Sequence, residues 1–420
     1  MTAVVFQNAR LIDPEAGEER RGEIFVSDGR IVADRPANAE VIDCAGMCLA
    51  PGIVDIGVKI GEPGERHKES FKTAGQAAAA GGVTTMIIRP DTSPAIDAPE
   101  TLAFVARRAA EVSRVRVETM AALTKGRLGR EMVEIGFLSD AGAVAFTDCD
   151  QVVENTKVLS RALTYAKHIG ALVMGHPQEP GLSKGAAATA GEFAATKGLP
   201  AVSTMAERIG LERDLAFVEM TGARYHADNL SAAAALEPLA RAKAAGLDVT
   251  AGVNIHHLIF NQLDVGEYRT FFKMKPPLRA EADRIAMLEA VASGLIDTVS
   301  SFHTPQDEES KRLPFEEAAS GAVGLQTLLP AAIGLARSGA ISLPVIWRAM
   351  STNPARRFGL EGGSLAPGAP ADLVLFDPDA GFTLDRFTLK SKAKNTPFDG
   401  AQMHGVVRGT WVGGARVFGA

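Results

Sequence analysis

Cysteine is scarce in this sequence: Cys44, Cys48 and Cys149 are the three present in 420 residues. Three thiols do not make a disulfide framework, so a reducing compartment, the cytoplasm, is expected. The C-x3-C spacing of Cys44 and Cys48 has no second pair to complete a structural zinc site, and both read as small buried residues. Long apolar runs are missing as well. None approaches the roughly 18–20 residues that a membrane helix needs, so no membrane partner is expected. The opening stretch MTAVVFQNARLIDPEAGEE has no basic start followed by an apolar segment, and no leader is expected. Positive charge falls short of negative: Lys and Arg total 44, Asp and Glu 50, the net charge is -6 and the pI lies near 5.8. That balance argues against a nucleic-acid surface as the main function. Low-complexity tracts and long internal repeats are also absent, which removes linker and solenoid architectures.

What is present is an ordinary globular composition, 46% hydrophobic and 22% charged, in a chain long enough for one large domain and a smaller one. The first fifty residues read as short strands. VVFQNARLID and EIFVSDGRIVA are rich in β-formers, and Asp28-Gly29 is a hairpin signal. From Ile53 the rhythm changes to short apolar strands alternating with Ala-rich helical stretches. Eight strands are expected, at 53–58, 83–88, 115–121, 143–147, 171–176, 224–228, 247–253 and 296–301. Helices are expected at 151–169, 231–245 and 280–293, and in KESFKTAGQAAAAGG, whose Gly pair suits a C-cap. Eight such units indicate a closed parallel (β/α)8 barrel of the TIM type rather than an open sheet. From Gly362 the chain returns to Gly/Pro turns and short strands. Residues 1–50 and 362–420 are therefore expected to form one small composite β domain, with the barrel spanning 51–361. Barrel chemistry sits at the C-terminal ends of the strands, so the residues there are the candidates.

Those ends belong to a recognisable frame: PGIVDI at 51–56, EPGERHKE at 62–69, AAAAGGVTT at 77–85, KPPLR at 275–279, STNPARRFGL at 351–360, ADLVLFDPD at 371–379 and KSKAKNTPFDG at 390–400. Together they resemble the dihydroorotase family of cyclic amidohydrolases over nearly the whole chain. The resemblance implies an amidohydrolase (β/α)8 barrel with a composite β domain. It also implies one or two zinc ions, a metal-activated hydroxide that opens a cyclic amide, and a strand-8 aspartate that carries the proton.

Carried over position by position, most of that machinery is missing. The two strand-1 histidines are Gly57 and Lys59. The bridging aspartate of strand 4 aligns without gaps with Cys149, and a one-residue slip would place Asp148 or Asp150 there instead. The strand-5 histidine is kept as His176, whereas the strand-6 histidine is Asn229 and the strand-8 aspartate is Phe302. Among the residues that hold substrate in the family, the arginine is Gly61, the two asparagines are Asp91 and Lys275, and the last histidine of the strand-8 motif is Gln306. Zinc needs three or four N, O or S donors. Glycine and phenylalanine offer none and an ammonium repels the cation, so the zinc site is expected to be lost, with no cofactor in its place.

The remaining polar residues have plainer readings. His176 is expected to serve as a hydrogen-bonded barrel-mouth histidine, and His226, His256, His257 and His303 as structural groups. Cys149 has no evident base to make it a nucleophile. Lys59 is expected either to point to solvent or to replace the metal's charge by pairing with Asp148 or Asp150. The resemblance implies a catalytically inactive dihydroorotase-like protein of pyrimidine biosynthesis, working in a homo- or hetero-oligomer as a structural or regulatory partner of aspartate carbamoyltransferase. Two rivals remain: an active dihydroorotase or related zinc amidohydrolase with atypical ligands, and a small-molecule sensor in which Lys59, Lys275 and Arg89 hold an anion.

Overall fold

The computed structural model of the protein describes residues 3–419. Strands from both ends of the chain share one sheet. Its order runs Ala415–Phe418, Gln402–Val412, Leu373–Thr383, Cys48–Pro51, Val4–Asp13, Glu18–Ser27 and Arg30–Val32, with Glu40–Asp43 pairing beside Val4–Asp13. The seam between the two ends is antiparallel, Leu373 opposite Pro51 and Phe376 opposite Cys48. The expected hairpin at Asp28-Gly29 forms with both residues at positive φ, 52° and 77°, the backbone a tight two-residue turn demands. Phe6, Leu11, Leu49, Leu373 and Trp411 fill this sheet's own core. Cys44 and Cys48 are fully buried, and burial pushes both thiols up to about 12.

Between these strands the chain forms the barrel. Ile53–Val58, Val83–Ile88 and Arg116–Thr119 make one parallel set; Leu172–Gly175, Arg224–Ala227, Val249–Asn254 and Thr298–Ser300 make another. The expected strand at 143–147 is reduced to a bridge. Phe146 alone pairs with Ala121 on one side and Val173 on the other, although Phe146 N still donates to Leu172 O and Ala121 N to Ala145 O. On the far side the ring closes through Asp55, which accepts from Ser301 N at 2.7 Å and from the Ser301 hydroxyl. Three expected helices appear as Thr156–His168, Leu236–Ala244 and Glu281–Ala292. The Ala-rich helix Phe71–Ala80 starts on a Ser70–Thr73 capping box and ends at Gly81.

Several frame motifs turn out to be joints that hold the mouth and the base. STNPARRFGL plugs the base: Ala355 and Phe358 pack with Val54, Ile87 and Leu172, and Asn353 Nδ2 donates to Asp297 O at 2.8 Å. The KSKAKNTPFDG loop closes over the other end, where Ser391 donates to buried Glu69 and Asn395 Nδ2 donates to Thr304 O and Gly321 O at 3.1 and 3.0 Å. Arg279 of KPPLR, 2% exposed, reaches Glu207, Ser231 and Thr189. Among the described residues no helix is long and apolar enough to cross a membrane.

Candidate functional site

Gly57 sits at a shift in strand register, with φ at 76°. A Cβ placed on it would lie 3.1 and 3.2 Å from Cδ2 and Cε2 of Phe302. The aromatic ring thus covers the space into which a side chain at 57 would grow. Phe302 itself has φ of 47°, and Cys149 and Asn229 have 56° and 57°. Four strand-end positions therefore hold the left-handed backbone that is uncommon outside glycine and concentrates at functional sites. At Gly61 a Cβ would stand 2.2 Å from Glu65 O. No larger residue fits there without moving the 61–65 turn, which is closed by Glu65 N donating to Gly61 O at 2.6 Å.

The mouth is wired by charge. Lys59, with its side chain 16% exposed, lies 3.3 Å from Asp91 and 3.4 Å from Glu65. Asp91 also accepts from Arg89 Nε and Nη2 at 3.3 and 2.7 Å. Against the cost of burial, the Arg89 charge, then those of Lys59 and Arg127, holds Asp91 below the usual carboxylate range. Opposite, Asp150 accepts from Arg127 Nη2 at 2.8 Å and from Lys275 Nζ at 3.0 Å. Burial again opposes ionisation, and Lys275, Arg89 and Arg127 together keep Asp150 well below its ordinary value. The Arg89 guanidinium lies 5.0 Å from the Phe302 ring centroid. These groups line a cavity of about 400 Å³.

This geometry corrects the expected partner of Lys59. Asp148 accepts from the amides of Leu123 and Thr124, each at 3.0 Å, and from the Thr124 hydroxyl, while Asp150 is taken by Arg127 and Lys275. Both carboxylates are spoken for before Lys59 can reach them, and it pairs with Asp91 and Glu65 instead. Arg127 went unnoticed in the sequence. Its one signal there is its place in the loop after the third barrel strand.

His176 is also corrected. Among the described residues its ring has no hydrogen-bond partner. It opens onto an adjoining cavity of about 450 Å³ that shares Asp150 and Lys275 with the first. Burial, then the Lys275 charge, lowers it from 6.5 to about 4. The other strand-end histidines are structural: His226 Nδ1 lies 2.8 Å from the Thr250 hydroxyl, His256 Nδ1 2.7 Å from Asn254 Oδ1, and His257 Nε2 3.1 Å from Pro276 O. His303 Nδ1 accepts from Gly324 N at 3.1 Å. Asn229 donates to Lys275 O at 3.0 Å and Gln306 to Ser320 O at 2.9 Å. The Cys149 thiol is buried, which raises it well above its ordinary value. That direction disfavours the thiolate a nucleophile would need.

Zinc does not fit this set of side chains. Its donors would have to come from a glycine, an ion-paired lysine, a buried thiol or one of its two already bonded neighbours Asp148 and Asp150, one histidine, an asparagine amide and a phenylalanine. Among the described residues no three His, Cys, Asp or Glu side chains converge as a metal-holding group.

A (β/α)8 barrel carrying a composite β domain, with strand ends gathered round a polar mouth, is the architecture of the cyclic amidohydrolases. The L-hydantoinase (dihydropyrimidinase) from Arthrobacter aurescens superposes with a TM-score of 0.89 at 26% identity, over 100% of this chain and 96% of that one. The family described as dihydro-orotase-like matches residues 46–234. A dihydroorotase of Wolbachia sp. subsp. Drosophila simulans (strain wRi) is 36% identical over 422 residues, covering 99% of this chain and 95% of the relative. A dihydroorotase-like protein of Pseudomonas aeruginosa is 36% identical over 416 residues, covering 98% of each. The chain belongs to the dihydroorotase-like family.

Proposed function

We propose that this chain is a catalytically silent member of its family, serving pyrimidine biosynthesis as a structural or regulatory partner of aspartate carbamoyltransferase. The observation that carries the reading is the Phe302 ring seated over Gly57. One side chain removes the proton-carrying acid expected on strand 8 and fills the space of a ligand expected on strand 1. The Lys59 ammonium among Asp91 and Glu65 and the closed space at Gly61 support the same conclusion. Left-handed backbone at the non-glycine residues 149, 229 and 302 is a strained feature suited to presenting a site, and it persists under side chains that offer no metal-site chemistry. A frame kept at this cost suits a protein used for its surface.

Relatives named dihydroorotase favour a second reading, an active cyclic amidohydrolase with atypical ligands. Purified protein grown with zinc supplied separates the two. The silent reading expects well under one zinc per chain, and dihydroorotate hydrolysis and reverse cyclisation at background. Zinc retained through chelator dialysis, with turnover that a metal-specific chelator abolishes, would establish the second. For the partner, co-expression with the carbamoyltransferase of the same organism should yield a large co-eluting assembly, with an interface of at least about 1,000 Å². Separate elution with no change in that enzyme's activity removes the partner from the proposal.

A further inference from the structure

The barrel-mouth cavity is lined by four cations, Lys59, Arg89, Arg127 and Lys275, and by two carboxylates, Asp91 and Asp150. They form two sets: Asp91 between Lys59 and Arg89, and Asp150 between Arg127 and Lys275. Each set is left with one surplus positive charge. Glu65, which also touches Lys59, is itself paired with Lys68 at 2.6 Å, so counting both leaves the surplus unchanged. Two other acids lie close to the wall without lining the cavity. The Asp148 carboxylate is turned onto backbone amides. Burial opposes the Asp228 charge, and among the described residues this carboxylate makes no ion pair with any of the four cations.

The surplus comes with free donors. Arg89 has a side chain 5% exposed, and it commits Nε and Nη2 to Asp91 while Nη1 donates to no acceptor among the described residues. Arg127 commits Nε and Nη2 to Asp148 O and Asp150, and its Nη1 likewise has no acceptor among the described residues. Lys59 meets its carboxylates only at 3.3 and 3.4 Å. Both residues line the cavity, and charge-assisted bonds to carboxylate or phosphate oxygens are the strong ones for guanidinium groups. A cavity of about 400 Å³ lies in the range of small-molecule sites.

We infer that this cavity binds a small organic dianion through its carboxylate or phosphoryl oxygens, gripped by Arg89, Arg127, Lys275 and Lys59 in place of a metal centre. The inference rests on the metal-free reading of the mouth. Arg89 and Arg127 stand outside the metal and substrate positions carried over from the family, whereas Lys59 and Lys275 occupy two of those positions.

Calorimetric titrations of the purified protein with succinate and with inorganic phosphate, each with and without EDTA, test it, and succinamide serves as the uncharged control. At least one dianion should bind one-to-one with Kd of about 1 mM or tighter, unaffected by EDTA, while succinamide does not bind. Tighter succinate identifies a carboxylate ligand and tighter phosphate a phosphoryl one. Arg127→Gln and Lys275→Gln should each weaken binding about tenfold or more, and added salt should weaken it further. Lys275 is half-exposed, so its variant remains informative if Arg127→Gln fails to fold. Binding of neither dianion, binding that EDTA abolishes, or binding unchanged in Lys275→Gln would each overturn the inference. The zinc content of the same preparation reports separately on the metal-free reading.

Discussion

At Gly57 two local constraints meet: a φ of 76° and the Phe302 ring just over 3 Å from where a Cβ would sit. Left-handed backbone costs an ordinary L-residue roughly 1–2 kcal/mol, and the ring must shift as well. Gly57→Ala is therefore expected to lower stability by about 1–3 kcal/mol in urea denaturation. In a double-mutant cycle, Phe302→Ala should recover the steric part of that loss and leave the backbone part. A Gly57→Ala protein as stable as the wild type would show that the ring is not what occupies this space. The same two residues show why donor chemistry is legible from sequence while its geometry is not. Glycine and phenylalanine declare by their chemistry that they bind no metal, but nothing in the sequence says that one sits on the other. Lys59 illustrates the converse. Its need for a carboxylate was readable, and the carboxylate it chose was not, because Asp148 is held by amides about 25 residues earlier in the chain.

Elements differed in how plainly they could be read. Ile53–Val58 and Val83–Ile88 have the expected bounds, since strands buried on both faces are mostly apolar and rich in β-branched residues. The fourth strand failed because AVAFT makes its ladder bonds through little more than Phe146. Pairing that short is set by the neighbours at Ala121 and Val173, not by local propensity. Arg279 shows what one frame residue does for several loops. Its guanidinium meets Glu207 at 3.1 Å, and Glu207, fully buried, also accepts from the amides of Ser231 and Ala232, both at 2.8 Å. Breaking such a pair leaves a buried charge without its counterion, so Arg279→Met should cost about 3–5 kcal/mol. The control Arg312→Met, in an exposed pair with Glu308, should change stability by less than about 1 kcal/mol. Equal effects in urea titrations would mean that the network does not stabilise these loops.

For the whole molecule, buried titratable groups set how stability responds to pH. Burial lowers His176 and His257 from the ordinary 6.5 to about 4, and His226 and His256 to about 3. Unfolded imidazoles take up protons near 6.5 and the folded ones do not, so this contribution is complete above that value and is lost as pH falls toward 4. Burial raises Asp55 to about 6 and Asp228 to about 7. These two act oppositely, favouring the fold below the ordinary 3.8 and losing that contribution as pH rises through 6 to 7. Four histidines outweigh two acids between about pH 6.5 and 4. The urea midpoint should be lower at pH 5 than at pH 7, and a higher midpoint at pH 5 would show that the acids dominate.

By itself the sequence determined the barrel, the pairing of its two ends into one β domain, and the chemistry of each residue at the strand ends. Apolar runs, helical spacing and the chemistry of single residues are local properties, and a linear reading can see them. Tertiary structure alone decided which carboxylate meets which cation, that His176 has no hydrogen-bond partner among the described residues, and that Arg127 joins the mouth. Those outcomes depend on which strand ends the closed barrel brings within about 3 Å of one another, a distance over which hydrogen bonds form or fail.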